Sequence, residues 1–249
     1  MMAALKVEGL VKRYGALLVT DNVSLDIEAG ELHAVIGPNG AGKTTLINQL
    51  SGELAADEGS IRFEDEHVTA LPVHERARRG LLRSYQITSI FEEFSVLENA
   101  ALAALGSREH AFSFWRPLLG NARAREAAHE ALAATGLLPR SGVAAGELGY
   151  GERRQLELAM ALAAKPKFLL LDEPMAGMSV QESAAVIDLL KGLKRRYTIL
   201  LVEHDMDAVF ALADRISVLV YGNVMFTGTP DEIRNHPAVR AVYLGEETV

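Results

Sequence analysis

Leu32-His33-Ala34-Val35-Ile36-Gly37-Pro38-Asn39-Gly40-Ala41-Gly42-Lys43-Thr44 is the stretch on which the fold turns. Leu32 to Ile36 is mostly apolar without a polar alternation, as expected of a strand buried on both faces. Gly37 to Thr44 then satisfies G-x-x-x-x-G-K-[ST], and Leu46, Ile47 and Leu50 follow at helical spacing. Strand, glycine-rich turn and helix in this order make a cradle for phosphate. Glycines let backbone N–H groups of Gly37, Asn39, Gly40, Ala41 and Gly42 converge, and the helix start at Thr44 and Thr45 adds the positive end of its dipole. Lys43 supplies a point charge for β/γ-phosphate oxygens, and the Thr44 hydroxyl can ligate Mg²⁺.

Downstream, Leu169-Leu170-Leu171-Asp172-Glu173 places two carboxylates at the end of an apolar run, where ligand sites of open α/β sheets lie. Asp172 suits the Mg²⁺ shell. Glu173, one residue further on, points to the other side of the strand and is placed to polarise an attacking water. Two acids that merely solvate a strand end are the bland alternative, and the upstream phosphate cradle weighs against it.

Working outward, Leu5 to Glu8 and Ser24 to Ile27 alternate between glycines, which predicts an antiparallel β edge. Parallel strands are expected again at Phe168–Leu171, Thr198–Val202 and Ile216–Val220, with a helix over Ser183–Leu193. Between them, Val96–Leu105 and Ala122–Thr135 are rich in Ala, Leu, Glu and Arg and read as helices. Thr229-Pro230-Asp231-Glu232 reads as a helix start with a capping box. The expected fold is α/β: a P-loop core of parallel strands alternating with helices (residues 1–86 and 165–249) with an antiparallel β edge, and an inserted α-helical subdomain (87–164), in one domain of 249 residues.

The chain carries 33 acidic against 25 basic residues, which disfavours nucleic acid as its main ligand, because backbone phosphates are bound by clustered Lys and Arg. There is no Cys, so disulfides and thiolate metal sites are excluded and a reducing compartment is expected. No apolar run approaches the ~18 residues of a membrane span, and the start lacks a signal-peptide pattern, so membrane association is expected through partners. His67 and His74 have no ligand-like spacing, and no metal besides Mg²⁺ is indicated.

The order of further motifs is informative. Tyr14 precedes the phosphate loop, Gln86 follows it in Arg83-Ser84-Tyr85-Gln86, Leu148-Gly149-Tyr150-Gly151-Glu152 precedes the Asp172-Glu173 strand, and His204 follows in Val202-Glu203-His204-Asp205. Over nearly the whole chain this order resembles the ATP-binding cassette (ABC) proteins. The resemblance implies that Tyr14 stacks on adenine, that Gln86 touches Mg²⁺ or the attacking water and senses membrane subunits, and that His204 hydrogen-bonds the γ-phosphate. It implies that Leu148 to Glu152 is the signature sequence that closes over ATP held by an opposite cassette. Gly149 stands where Ser is usual, Glu152 where Gln is usual, and Ser179 where the partner-contacting loop usually has Asp. Gly149 and Glu152 are therefore expected to weaken the grip on the opposite γ-phosphate.

The signature Tyr150, Ala176-Gly177-Met178, Glu203-His204-Asp205-Met206, Thr229 to Arg234 and Tyr243-Leu244-Gly245-Glu246 look like the branched-chain amino-acid importer ATPases. That resemblance implies an ATP-hydrolysing importer subunit at the cytoplasmic face of a membrane. Its partners would be a second cassette, two transmembrane permease subunits and an external substrate-binding protein. Extra residues in Gly106 to Asn121 fit the same group, with Phe112, Phe114 and Trp115 expected to pack against the protein. Two rivals remain at this point: a cassette ATPase acting on ribosomes or DNA, and a binding module without hydrolysis, which would require loss of Lys43 or Glu173.

Overall fold

The computed structural model describes residues 3–84, 90–106 and 120–244. Its centre is a six-stranded sheet in the order β10-β9-β3-β8-β7-β6, built from β3 (Leu32–Ile36), β6 (Leu81–Ser84), β7 (Phe168–Asp172), β8 (Thr198–Val202), β9 (Arg215–Val220) and β10 (Asn223–Gly228). Neighbours pair in parallel except β10, which returns antiparallel on β9 after the turn at Tyr221-Gly222. The apolar runs explain the placement. All residues of β3, β7 and β8 are buried, so these strands occupy the interior of the sheet.

A second sheet, ordered β2-β1-β4-β5, is antiparallel: β1 (Ala3–Tyr14), β2 (Leu17–Glu28), β4 (Glu58–Phe63) and β5 (Glu66–His67). Its inward residues Leu5, Val7, Leu25, Ile27 and Ile61 share one apolar cluster with Leu46, Ile47 and Leu50 of α1 (Lys43–Ser51). The predicted β edge is thus a sheet that covers the phosphate-loop helix. The tail holds the predicted cap: Thr229 Oγ1 accepts from the Glu232 amide, and Glu232 accepts from the Thr229 amide, at the start of α8 (Pro230–Asn235).

Between β6 and β7 the chain forms α3 (Val96–Gly106), α4 (Ala122–Ala134) and α5 (Tyr150–Ala163), helices that carry alanine on their contact faces and so pack closely. The same apolar cluster extends to Leu169 and Leu171 of β7 and to α6 (Val180–Leu193) and α7 (Met206–Leu212). This is the RecA-like α/β arrangement with an antiparallel sheet and inserted helices. A short helix α2 (Val73–Arg79), which the periodicity did not announce, is fixed by Arg76. Its buried guanidinium donates to the carbonyls of Gln49, Leu50, Thr69 and Leu71, satisfying the open C-terminus of α1, and burial lowers its pKa to about 10. The last helix is α9 (Pro237–Leu244). Among the described residues no helix is long and apolar enough to cross a membrane.

Candidate active site

Register brings the motifs to one edge. Val35 of β3 lies beside Val202 of β8, and Val202 lies beside Asp172 of β7, so the loops beginning at Gly37, Glu203 and Glu173 leave the sheet at the same level. That edge is the C-terminal end of the parallel strands.

Two glycines in the phosphate loop are required by space. A Cβ on Gly37 would collide with the Leu219 carbonyl, and one on Gly42, which sits at φ +103°, would come within 2.5 Å of the Val19 carbonyl. Gly42 caps α1 without a side-chain acceptor, and the first turn has no acid, so this helix start has its positive end unopposed. Lys43 folds into its own loop, its Nζ donating to the Gly37 carbonyl at 2.5 Å and the Pro38 carbonyl at 3.1 Å. Burial pulls the Lys43 pKa down, while the charges of Glu173 and Asp172 work against that fall. Asn39, Gly40 and Thr44 are exposed, Thr45 is partly so, and Ala41 is buried with its carbonyl held by the Gly222 amide.

Asp172 is 4% exposed, and burial raises its pKa against the opposing Arg83 charge. Arg83 Nη2 donates to Asp172 Oδ2 at 2.8 Å, and Nη1 donates to Asn48 Oδ1 at 2.6 Å and Glu53 Oε2 at 2.8 Å. Arg83 therefore ties the acid of β7 to α1, a link across 89 positions that no local pattern announces. Glu173 occupies the left-handed region at φ +47°, held by its own amide bond to the Val202 carbonyl and by the Ala176 amide on its carbonyl. A non-glycine residue in this region stores strain, and the turn aims a half-exposed carboxylate at the loop carrying His204. His204 Nδ1 lies 4.0 Å from Glu173 Oε1 and 3.7 Å from Glu203 Oε2, and its side chain is 63% exposed.

Tyr14 is exposed at the end of β1, next to the β2 segment whose Val19 carbonyl abuts Gly42. Leu148 to Glu152 opens α5, and its described hydrogen bonds do not reach residues 37–45. Tyr150 Oη donates to the Ala176 carbonyl, and Glu152 Oε2 accepts from the Gly149 amide at 3.1 Å. Glu152 also pairs with Arg140 at 3.3 Å. The charge expected to point at an opposite phosphate is thus engaged in capping its own helix. Ser179 likewise caps α6 through a reciprocal box with Glu182. Gln86, Phe112, Phe114 and Trp115 lie outside the described residues. The residues that sequence reasoning missed are Arg83 and Glu203; an acid directly before His204 was the only local sign of the second.

A sequence profile described as ABC transporter matches residues 20–176. The chain belongs to the ABC transporter family. A second profile, described as branched-chain amino acid ATP-binding cassette transporter, matches residues 223–249. This cassette is 40% identical to the high-affinity branched-chain amino acid transport ATP-binding protein LivG of Salmonella typhimurium, covering 97% of this chain and 98% of that protein. It is 36% identical to the lipopolysaccharide export system ATP-binding protein LptB of Escherichia coli, over 99% of both. Among solved structures, the ADP conformation of MJ1267, an ATP-binding cassette of an ABC transporter, superposes with a TM-score of 0.87 at 30% identity, covering 98% of this chain and all of that one. The protein is accordingly an ATP-binding subunit of an ABC transporter and an ATPase.

Proposed function

We propose that this ATPase drives uptake of branched-chain or other hydrophobic amino acids, with Glu173 as the general base. The observation that carries the chemical part is the convergence of Lys43, Asp172, Glu173 and His204 on one sheet edge, with Glu173 held in a strained turn. Lys43 exchanges its two loop carbonyls for β/γ-phosphate oxygens, and the amides of Gly37 to Thr45 cradle the phosphates. Tyr14 stacks on adenine. Thr44 and Asp172 offer hydroxyl and carboxylate oxygens, a hard donor set that fits Mg²⁺, which when bound neutralises phosphate charge. Glu173 takes a proton from the water whose oxygen attacks Pγ, the Pγ–O bond to ADP breaks, and His204 hydrogen-bonds the departing γ-phosphoryl group. Gln86, outside the described residues, would hold the same water or Mg²⁺ and would report the state of the membrane subunits.

The substrate class rests on the likeness to LivG and on the match of residues 223–249. Two cassettes sandwich two ATP, each offering Leu148 to Glu152 to the other's nucleotide, beneath two permease subunits at the cytoplasmic face. An external binding protein delivers the cargo. The test is vesicles holding the native membrane complex, assayed for ATP-dependent uptake of leucine, isoleucine and valine with parent and Glu173→Gln chains. Uptake that needs parent chain supports the reading. Vesicles that hydrolyse ATP but move none of the three remove the branched-chain assignment, and the same vesicles failing with phenylalanine and methionine remove the hydrophobic amino acids as a class. Outward movement of lipid would favour the export role named for LptB.

A further inference from the structure

Glu203 is buried to 1% exposure in the first turn after β8, in a place where apolar or hydroxyl side chains would cost less to desolvate. Its carboxylate is nevertheless fully used. Oε1 accepts from the Met175 amide at 3.1 Å, and Oε2 accepts from the His204 amide at 3.0 Å and, more weakly, from the Asp205 amide at 3.5 Å. Met175 is two residues beyond Glu173, so one side chain grips the backbone of both loops that carry the reacting groups. The grip extends further. The residue after Met175 is Ala176, whose carbonyl takes the Tyr150 hydroxyl at the start of the signature helix.

We infer that Glu203 is a positioning residue for hydrolysis, a clamp that sets Glu173 and His204 in mutual register through their backbones. It does not meet ATP. The physical case is that the loops leave different strands and no other described side chain bonds to both. The two acceptor oxygens of one carboxylate correlate their motion as two separate side chains could not. Charged acceptors make the stronger hydrogen bonds, and the bond from the Met175 amide is buried while that from the His204 amide is partly so. Burial raises the Glu203 pKa against the pull of the three amides. This inference rests on the assignment of Glu173 and His204 as the groups that act on ATP.

Glu203→Gln tests it. A glutamine keeps the volume but presents one oxygen and one NH₂, so one of the two loops faces a donor with a donor. With the full-length chain, kcat for ATP hydrolysis should fall by about 10² while KM for MgATP stays within about twofold, because misplacement of reacting groups by ~1 Å costs about that much. Amide exchange of the peptides covering 173–179 and 203–206 should quicken by about tenfold, with β7 and β8 unchanged. In a His204→Ala background the added loss should shrink to about threefold, since residues acting as a unit are non-additive. Glu203→Asp, which retains both acceptor oxygens and the charge, should recover most of kcat and keeps the test open should the glutamine variant fold poorly. An unchanged kcat in Glu203→Gln, a KM that rises in parallel, or an aspartate variant as slow as the glutamine one overturns the clamp. Glu173→Gln, measured beside it, separates the two ideas. If that variant hydrolyses at the parent rate the assignment of the base fails, whereas slow Glu173→Gln with normal Glu203→Gln rejects the clamp alone.

Discussion

At the start of the central strands, His33 is fully buried between Glu31 Oε1 and Ser217 Oγ, each at 2.8 Å, and Ser217 passes the chain to Thr227 at 2.7 Å. At the other end of the same strands, the buried Lys43 donates, among the described residues, to two carbonyls of its own loop, Glu173 sits in a strained backbone conformation, and His204 stands mostly in solvent. Both ends bury ionisable groups, yet His33 is closed in by side chains on both ring nitrogens while Lys43 is held by backbone carbonyls that a phosphate can replace. Closed polar networks rigidify a fold, whereas groups held provisionally are free to meet a ligand. The difference separates a site from a support.

The largest expected effect lies at the open end. Glu173→Gln should lower ATP hydrolysis by about 10² to 10⁴ while calorimetry finds ATP affinity retained, because shape persists and only the base is lost. A variant as fast as the parent would place the base elsewhere. Next, Lys43→Ala should weaken ATP binding by roughly 10- to 100-fold, the worth of a hydrogen bond to a charged group. It should lower the melting temperature of the free chain only slightly, since burial already disfavours the Lys43 charge and its hydrogen bonds go to two carbonyls of its own loop. A large loss of stability would mean that Lys43 belongs to the support and not to the site.

At the closed end the signs reverse. His33→Leu should destabilise by about 1–3 kcal/mol, because Glu31 and Ser217 are left buried without their shared partner, and kcat should remain near the parent value at a temperature where the variant is folded. The carboxyl of Glu31 is pushed up by burial, but the hydrogen bonds from His33 and the Glu28 amide more than offset this and hold its pKa below 4.5. A depressed carboxyl contributes stability that is fully present above its unfolded value and lost as pH falls through the folded one. The fall of melting temperature below about pH 4.5 should therefore be shallower in Glu31→Gln than in the parent. Parallel curves would remove Glu31 from the network.

Much of the open end was legible in the chain itself because its parts are local: Gly37 to Thr44 encode a turn and a helix start, and Phe168 to Glu173 encode a buried strand with its acids. The capping box at Thr229 is equally local. What could not be read depends on topology. Arg83 reaches Asp172 only because β6 pairs with β7, and Glu203 reaches Met175 only because β8 lies beside β7. Arg76 on a polar-looking helix gave no sign of burial, and β10 was hidden because Met225 and Phe226 at a sheet edge do not form a long apolar run.

The smallest expected effect concerns the signature, where the departures from the family's usual Ser and Gln suggested two weakening features of equal kind. They differ in the structure. Glu152 is already spent, with one oxygen on the Gly149 amide and the other paired to Arg140, both half-exposed, so its charge is offset before any phosphate approaches. Glu152→Gln keeps a carbonyl that can cap the same amide and loses only a surface ion pair, worth about 0–1 kcal/mol. Gly149→Ser adds a hydroxyl at the N-cap of α5, and that hydroxyl can serve either the helix or an opposite γ-phosphate. In a Glu173→Gln background with ATP and Mg²⁺, light scattering after size exclusion should therefore find Gly149→Ser dimerising at about tenfold lower protein concentration, while Glu152→Gln shifts it by less than about threefold. If Glu152→Gln gives the larger shift, the carboxylate leaves its cap when nucleotide binds, and the start of α5 belongs with the provisionally held groups of the open end.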